Sequence, residues 1–130
     1  MLRAEEQPVI IGEDSNIQDN SVVHVLNERI GTRVGARVTV GHRVILHGCT
    51  IGDLSLIGMG SVVLDEVEVG AETIVGAGSV VTPGTKIPGG VLALGSPCRV
   101  KRPLTPSELE SLRTSADRYV HLAREHRVLK

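Results

Sequence analysis

Aromatic side chains are almost absent from this chain of 130 residues, which contains one Tyr, no Trp and no Phe. Globular cores commonly use such large side chains, whereas a stack of small repeated units has no room for them. Cysteine is also scarce, with Cys49 and Cys98 alone. Two cysteines are too few for a disulfide framework and suit a reducing compartment. We therefore expect a cytoplasmic protein whose core is built from small aliphatic side chains.

A strong charge of either sign is missing as well. The formal net charge is −1. The sequence has no basic patch that would indicate a nucleic-acid partner. No run of 18 apolar residues is present, so we expect no membrane span. Residues 1–8 are too short and too acidic for a signal peptide. The length suits a single folding unit, and the composition excludes nucleic-acid and membrane partners.

The stretch 34–97 repeats with a period of six residues. An aliphatic residue opens each hexad, glycine often follows it, and a small or β-branched residue often stands four places after it. Every step is six residues except Leu46 to Ile51, which is five. The aliphatic positions are Val34, Val40, Leu46, Ile51, Ile57, Val63, Val69, Val75, Val81, Ile87 and Ala93. A fixed hexapeptide period is typical of a parallel β-helix.

The period has a simple physical interpretation. Each hexad forms one short strand and one corner, and three hexads close a coil of about eighteen residues whose strands pair in parallel with those of the next coil, about 4.8 Å away. The aliphatic side chain points inward, and glycine or a small residue serves the corner, where positive φ or tight packing excludes bulk. A β-sandwich would need turn signals every eight to twelve residues instead. We therefore predict an all-β solenoid, a parallel β-helix of hexapeptide repeats.

The repeat is less regular before Val34. Ile11, Ile17 and Val23 are again six residues apart, but eleven residues separate Val23 from Val34. We therefore predict that a loop at 26–33 replaces one hexad.

The chain leaves the coil after Cys98, and a helix is expected over about residues 106–127. Thr105 is the predicted N-cap, Pro106 the first helical residue, and Glu108 completes a capping box. An apolar stripe at helical spacing needs a surface to cover, and its members are Leu109, Leu112, Ala116, Tyr119 and Ala123. We divide the chain into a β-helix domain, 1–98, and a C-terminal extension, 99–130, whose helix packs on the β-helix.

Three histidines stand out from the pattern. His24 and His47 both occupy the second hexad position, whereas His42 occupies the third. Neighbouring strand positions point to opposite sides, so His24 and His47 can lean to one side, and His42 can join them only from another chain. His42 follows His24 by 18 residues, which we take as about one coil. Three neutral imidazoles with an open position suit a catalytic zinc ion, although solvated or hydrogen-bonded histidines would give the same pattern.

Residues 3–104 resemble the γ-class carbonic anhydrase family. Two motifs carry most of the resemblance. They are Asn-x-Gln-Asp…His at residues 16–24 and Gly-His-x4-His-Gly-Cys at residues 41–49. Further matching segments are 3–6, 57–60 and 95–97. The two histidine-containing segments together are specific, whereas a hexapeptide repeat alone is not.

The resemblance implies a left-handed β-helix, although the general rule for parallel crossovers favours the right hand. It also implies a homotrimer with zinc, or iron in some members, between subunits. His24 and His47 of one subunit and His42 of the next would bind the metal ion. The implied reaction is the reversible hydration of CO2 to bicarbonate by metal-bound hydroxide.

The resemblance assigns roles to further residues. Gln18 would orient the metal-bound water or the substrate, and Glu6 matches a family carboxylate near the metal. Tyr119 resembles a polar residue of the C-terminal helix that approaches the site in some members. An exposed acid at position 6 and a packed aromatic at position 119 are the alternative interpretations. The resemblance also implies an interface group, whose members are Arg3, Asp19 and Asn16.

The chain also departs from the family. The loop after His24 is short, Glu28 is its only carboxylate, and Asn27 stands where active members carry a proton-shuttling acid. The family's Arg-Gly-Asp reads Arg-Ala-Glu at residues 3–5. Two other functions therefore remain open: a weakly active or inactive trimeric metal-binding assembly protein, and a hexapeptide acyltransferase that uses coenzyme A with one histidine as general base.

Overall fold

Short strands and one long helix make up the computed structural model, which describes residues 2–3, 8–25 and 30–128. The helix α1 spans Pro106–Val128. The strands, in chain order, are β1 Leu2–Arg3, β2 Val9–Ile11, β3 Asn16–Ile17, β4 Val22–His24, β5 Thr32–Val34, β6 Thr39–Val40, β7 Ile45–His47, β8 Thr50–Ile51, β9 Leu56–Ile57, β10 Val62–Val63, β11 Glu68–Val69, β12 Ile74–Val75, β13 Val80–Val81, β14 Lys86–Ile87, β15 Val91–Gly95 and β16 Cys98–Pro103.

The strands form three sheets, and consecutive strands fall in different sheets. The first sheet has the order β1-β4-β7-β10-β13, the second β14-β11-β8-β5-β2, and the third β16-β15-β12-β9-β6-β3. Each strand up to β15 pairs in parallel with strands three places away in the chain. The chain therefore winds as a three-sided parallel β-helix, as the hexapeptide period predicts.

The repeated aliphatic side chains fill the inside of the coil. Every aliphatic position predicted from Val34 to Ala93 is buried, with exposures between 0% and 5%. Most of the small residues four places later are buried too, and Ser21 shows why they suit a corner, because its hydroxyl donates to the Gly41 carbonyl at 2.7 Å. Cys49 is buried, and burial raises the pKa of its thiol to about 12, so it is a packed, unreactive side chain.

The glycines that follow the aliphatic residues serve close approach between coils. A Cβ atom on Gly52 would lie 2.5 Å from the backbone nitrogen of Ala71 in the next coil. Positive φ occurs two residues later instead, at Leu54, where φ is 59°. Of the two reasons considered for these glycines, tight packing is therefore the one that applies at Gly52.

The irregular coil after Val23 differs in part from its prediction. Residues 26–29, with Asn27 and Glu28, lie outside the described part of the chain, but Thr32 and Arg33 belong to strand β5 and not to a loop. Thr32 is fully buried and its Cα pairs with that of Val9. Pairing with β2 extends the strand into the segment that periodicity alone assigned to the loop.

The segment after Cys98 leaves the parallel winding, as expected, but it stays against the β-helix. Strand β16 turns back and pairs antiparallel with β15, so it extends the third sheet. The free edge of β15 is thereby covered by another strand. The division of the chain at residue 98 stays a prediction.

The predicted capping box begins the helix. The Thr105 N–H donates to a Glu108 carboxylate oxygen at 2.9 Å, and the Glu108 N–H donates to the Thr105 hydroxyl at 3.1 Å. Arg102 adds an ion pair to Glu108 at 2.6 Å. These contacts fix the entry of α1 at Pro106.

Helix α1 lies along the corner that joins the second and third sheets. Asp117 forms an ion pair with Arg37 in that corner. Leu112 and Ala116 are buried at 4% and 1% exposure, whereas Ala123 is exposed, so the predicted stripe holds for its first part and is wrong at Ala123. No helix in the described ranges is long and apolar enough to cross a bilayer.

Candidate metal centre

His24 and His47 lie side by side on neighbouring strands of the first sheet. Their Cα atoms are register partners in β4 and β7. Each follows an inward-facing residue, so each leans outward, as their shared hexad position predicts. Their ring centroids are 5.1 Å apart and the ring planes are inclined by 43°. The Nε2 atom of His24 is shielded from solvent.

This spacing fits two ligands of one metal ion. With Zn–N bonds of about 2.0–2.1 Å and tetrahedral angles, two imidazole ligands of one zinc ion have ring centroids about 5 Å apart. The observed 5.1 Å between the His24 and His47 centroids meets that requirement. The two side chains therefore fit half of a tetrahedral site.

His42 lies on another corner of the coil. It is exposed in the turn between β6 and β7, where the Gly60 N–H donates to its carbonyl at 2.9 Å. It lines a surface groove of about 530 Å³ with Asp19, Arg43 and Met59. In the described residues of one chain, no group of three or more His, Cys, Asp or Glu side chains could hold a metal ion. A site that joins His24, His42 and His47 therefore needs a second chain.

The expectation that His24 and His42 are one coil apart is wrong. The register partner of His24 is His47, which is 23 residues away (47 − 24). The extra residues between β4 and β5 lengthen this coil beyond the usual eighteen or so. His42 consequently precedes the strand of its coil, whereas His24 and His47 end theirs.

A carboxylate reaches the histidine pair from the corner after β10. The Asp65 Oδ1 atom lies 2.5 Å from the Nδ1 atom of His47, and both side chains are 29% exposed. The sequence analysis did not find this residue. Its only sequence signal is the short step from Leu46 to Ile51, which alters the corner beside it.

Gln18, Asn16 and Asp19 lie at the corner that precedes His24. The Gln18 amide donates to the Asn16 carbonyl oxygen at 3.2 Å, and the Asn16 amide donates to the Thr39 hydroxyl at 3.3 Å. The Arg43 N–H donates to the Asp19 carbonyl at 3.0 Å, so Asp19 lies one coil below the His42 corner. The structure thus groups Asp19 with His42, and Gln18 with Asn16.

The remaining expected site residues, Tyr119, Arg3 and Glu6, either line a groove without the histidine pair or have side chains outside the described part of the chain. Tyr119 and Asn16 line a groove of about 330 Å³ between α1 and the coil, and neither His24 nor His47 belongs to its lining. Arg3 belongs to β1 and its Cα pairs with that of His24, but its side chain is outside the described part. Glu6 lies entirely outside it.

The outer face of the first sheet is apolar beside the histidines. Val22, Ile45, Val62 and Val80 follow one another in register across β4, β7, β10 and β13. Ile45 is 41% exposed, although it is a large aliphatic side chain. Val22, Val62 and Val80 are half-buried, so Ile45 is the exposed member of this apolar row.

Comparison with known proteins places this chain among its relatives. The family described as bacterial transferase hexapeptide (six repeats) matches residues 48–83. A carbonic anhydrase of Geobacillus kaustophilus is 41% identical over 131 aligned positions, which cover 100% of this chain and 71% of the relative. The chain belongs to the γ-class carbonic anhydrase family. Mitochondrial γ carbonic anhydrase 1 of Arabidopsis thaliana is also 41% identical, and this family member spans 48% of that protein's length.

Solved structures agree on the fold. A hexapeptide transferase family protein from Anaplasma phagocytophilum superposes with a TM-score of 0.89 and 39% identity, covering 95% of this chain and 72% of that one. A Vibrio cholerae acetyltransferase in complex with acetyl coenzyme A gives a TM-score of 0.65 and 26% identity, covering 75% and 61%. The predicted fold class, a left-handed parallel β-helix of hexapeptide repeats with a C-terminal helix, is confirmed.

Proposed function

We propose that this protein catalyses the reversible hydration of CO2 to bicarbonate as a homotrimer with one metal site at each subunit interface. The metal ion, zinc or iron, is held by His24 and His47 of one subunit and by His42 of the next. The observation that carries the proposal is the 5.1 Å separation of the His24 and His47 rings on an outward face. The names of the relatives at 41% identity support the reaction.

Two features of the surface support the proposed subunit interface. The outer face of the first sheet is apolar, with Ile45 exposed beside the histidine pair. His42 is exposed on a different corner, where it is free to meet a neighbouring subunit. Burying Ile45 and its apolar neighbours against a second copy removes their surface from water and brings a third imidazole to the pair.

The residues of the chain prepare the site in separate ways. A bound metal ion supplies a nucleophile at neutral pH by lowering the pKa of water, and carbonic anhydrases are the usual example of this effect. His24 and His47 bind from one side, and the apolar face around Ile45 excludes bulk water. Gln18 donates its amide to Asn16, which leaves its carbonyl oxygen to accept a hydrogen bond from a water molecule or from bicarbonate.

The proposed roles of Asp19, Glu6 and Tyr119 come from the family resemblance. Asp19 lies below the His42 corner and is proposed to pair with Arg3 across the interface. Roles for Glu6 near the metal and for Tyr119 near the site stay predictions. Tyr119, on α1, lines a groove with Asn16 that neither His24 nor His47 lines. A cytoplasmic location also stays a prediction, and the free thiols of Cys49 and Cys98 agree with it.

Two other functions remain as alternatives. The resemblance to an acetyltransferase that binds acetyl coenzyme A favours an acyltransferase, in which one histidine acts as a general base without a metal. The short loop after His24 favours a trimeric assembly protein that keeps the metal but has lost turnover. Binding of acetyl coenzyme A to metal-free protein selects the first, and a metal-loaded trimer that does not hydrate CO2 selects the second.

Mixed trimers test the shared site directly. His24→Ala and His42→Ala chains are each expected to lose the metal. Co-refolding them at equal amounts restores about a quarter of the sites, because one interface in four then combines an intact His24 with an intact His42. Metal per chain is measured by elemental mass spectrometry, with the trimer verified by light scattering and CO2 hydration assayed on the same sample.

The control is His121→Ala, which changes an exposed histidine of α1 and should keep the full metal content. A wild-type trimer that takes up no zinc or iron would remove the proposal. Mixed trimers as empty as either parent would show that one subunit holds the whole site.

A further inference from the structure

The contact between Asp65 and His47 decides which nitrogen of the imidazole is available. The 2.5 Å distance joins Asp65 Oδ1 to His47 Nδ1. A carboxylate oxygen can only accept a hydrogen bond, so Nδ1 carries the proton and donates it. The neutral ring then has its lone pair on Nε2, the atom on the opposite side from Asp65. A ligand with a fixed tautomer and a fixed ring plane binds a metal ion more tightly.

Asp65 reaches His47 because two stacked corners differ in length. Leu46 pairs with Val63 and Ile51 pairs with Val69, so five residues in the lower coil correspond to six in the upper one. The Glu66 N–H donates to the Gly48 carbonyl at 2.8 Å, and Gly48 takes a φ of 62°. This bond holds the Asp65 backbone over the end of β7.

We infer that Asp65 is a positioning residue that orients His47 as a metal ligand through Nε2. The inference rests on the proposed function, and it adds a residue whose effect passes through His47. Asp65→Ala is expected to weaken metal binding by about 10- to 100-fold. Asp65→Asn keeps an oxygen that accepts the Nδ1 proton, so its loss is expected to be smaller.

A matched control exists in the next corner of the same coil stack. Asp53 stands two residues after Ile51, as Asp65 stands two residues after Val63. Its carboxylate accepts a hydrogen bond from the Ala36 N–H at 2.9 Å, away from the histidine pair. Asp53→Ala removes the same charge and a similar hydrogen bond, and metal affinity should stay at the wild-type value.

The test combines zinc competition with a chromophoric chelator, at fixed pH on the trimer, and 15N NMR of the histidine rings in metal-free protein. We expect His47 to be protonated at Nδ1 in the wild type and in Asp65→Asn, and to lose this preference in Asp65→Ala. Wild-type zinc affinity in Asp65→Ala would overturn the inference and leave the proposed function standing.

The NMR measurement on the wild type does not depend on any variant folding. A proton on Nε2 of His47 would overturn the inference by itself. A wild-type trimer that binds no zinc would instead remove the proposed function, and the positioning role with it, so the two failures are distinguishable.

Discussion

The inner faces of the first and second sheets are alike, whereas their outer faces carry different kinds of side chain. Leu46 in the first sheet and Ile51 in the second are both buried, at 0% and 1% exposure. The outer face of the first sheet carries aliphatic side chains. The second sheet carries, in register and all exposed, Ile10, Arg33, Thr50, Glu68 and Lys86. The same coils therefore present one aliphatic outer face and one outer face that is polar except at Ile10.

The difference separates the determinants of fold from those of function. Inward positions drive winding through apolar burial, whichever sheet they belong to. Outward positions do not change the winding, so they are free to differ. The pair Glu68–Lys86 on the second sheet lies at 2.6 Å between exposed groups and contributes little stability. The histidine pair on the first sheet occupies the position where the second sheet has Gly35 and Gly52.

The largest expected effect comes from a charge on the apolar face. Ile45→Glu places a carboxylate where we propose a subunit contact, and an unpaired buried charge costs several kcal/mol, so trimer association should weaken by about 100-fold or more. Sedimentation velocity over a range of protein concentrations measures the change.

Thr50→Glu supplies the matched control, since Thr50 is exposed on the second sheet. The Thr50→Glu trimer should dissociate at the same protein concentration as the wild-type trimer. The prediction would be contradicted if Ile45→Glu and Thr50→Glu both became monomeric, or if both stayed trimeric. Assembly would then not depend on the difference between the outer faces of the first and second sheets.

A second comparison concerns the inside of the coil. Leu46→Ala and Ile51→Ala each remove a buried aliphatic side chain, and each is expected to lower the free energy of unfolding by about 2–5 kcal/mol. Urea unfolding at one fixed protein concentration gives the values, because oligomer stability depends on concentration. A cost confined to one of the two sheets would contradict the equivalence of their inner positions.

The smallest expected effect concerns a charge far from the apolar face. The hydrogen bond from Arg102, then that from the Thr105 N–H, lowers the pKa of Glu108 from 4.5 to about 2. Because the folded-state pKa is depressed, Glu108 stabilises the fold above about pH 4.5, and this contribution is lost as the pH falls towards 2.

Glu108→Gln should therefore lower the melting temperature of metal-free protein slightly at pH 6, and the difference from wild type should shrink at pH 3. Glu110→Gln, at an exposed position on the same helix, is the control. The fraction of protein in the trimer should not change in either variant. That result would support association through the first sheet. A difference that grew on acidification would contradict the sign of the pKa shift.

The sequence by itself determined the coil and its cap. Local periodicity was enough, because burial alternates along each strand and repeats every hexad, so Val34 to Ala93 could be assigned inward without knowledge of the fold. The capping box at Thr105 and Glu108 was equally readable, since both partners lie within one turn of helix. The shared hexad position of His24 and His47 predicted that they lean to one side.

The tertiary structure decided what depends on coil length and on stacking. The number of residues between β4 and β5 made the coil 23 residues long (47 − 24) and brought His47, not His42, next to His24. The short step after Leu46 brought Asp65 to the His47 ring, and pairing with β15 turned residues 98–103 back into the third sheet. The contacts of His47 with His24 and with Asp65 join residues 23 and 18 positions apart in the chain (47 − 24 and 65 − 47), and their register follows from how many residues each corner holds, which a repeating pattern does not specify.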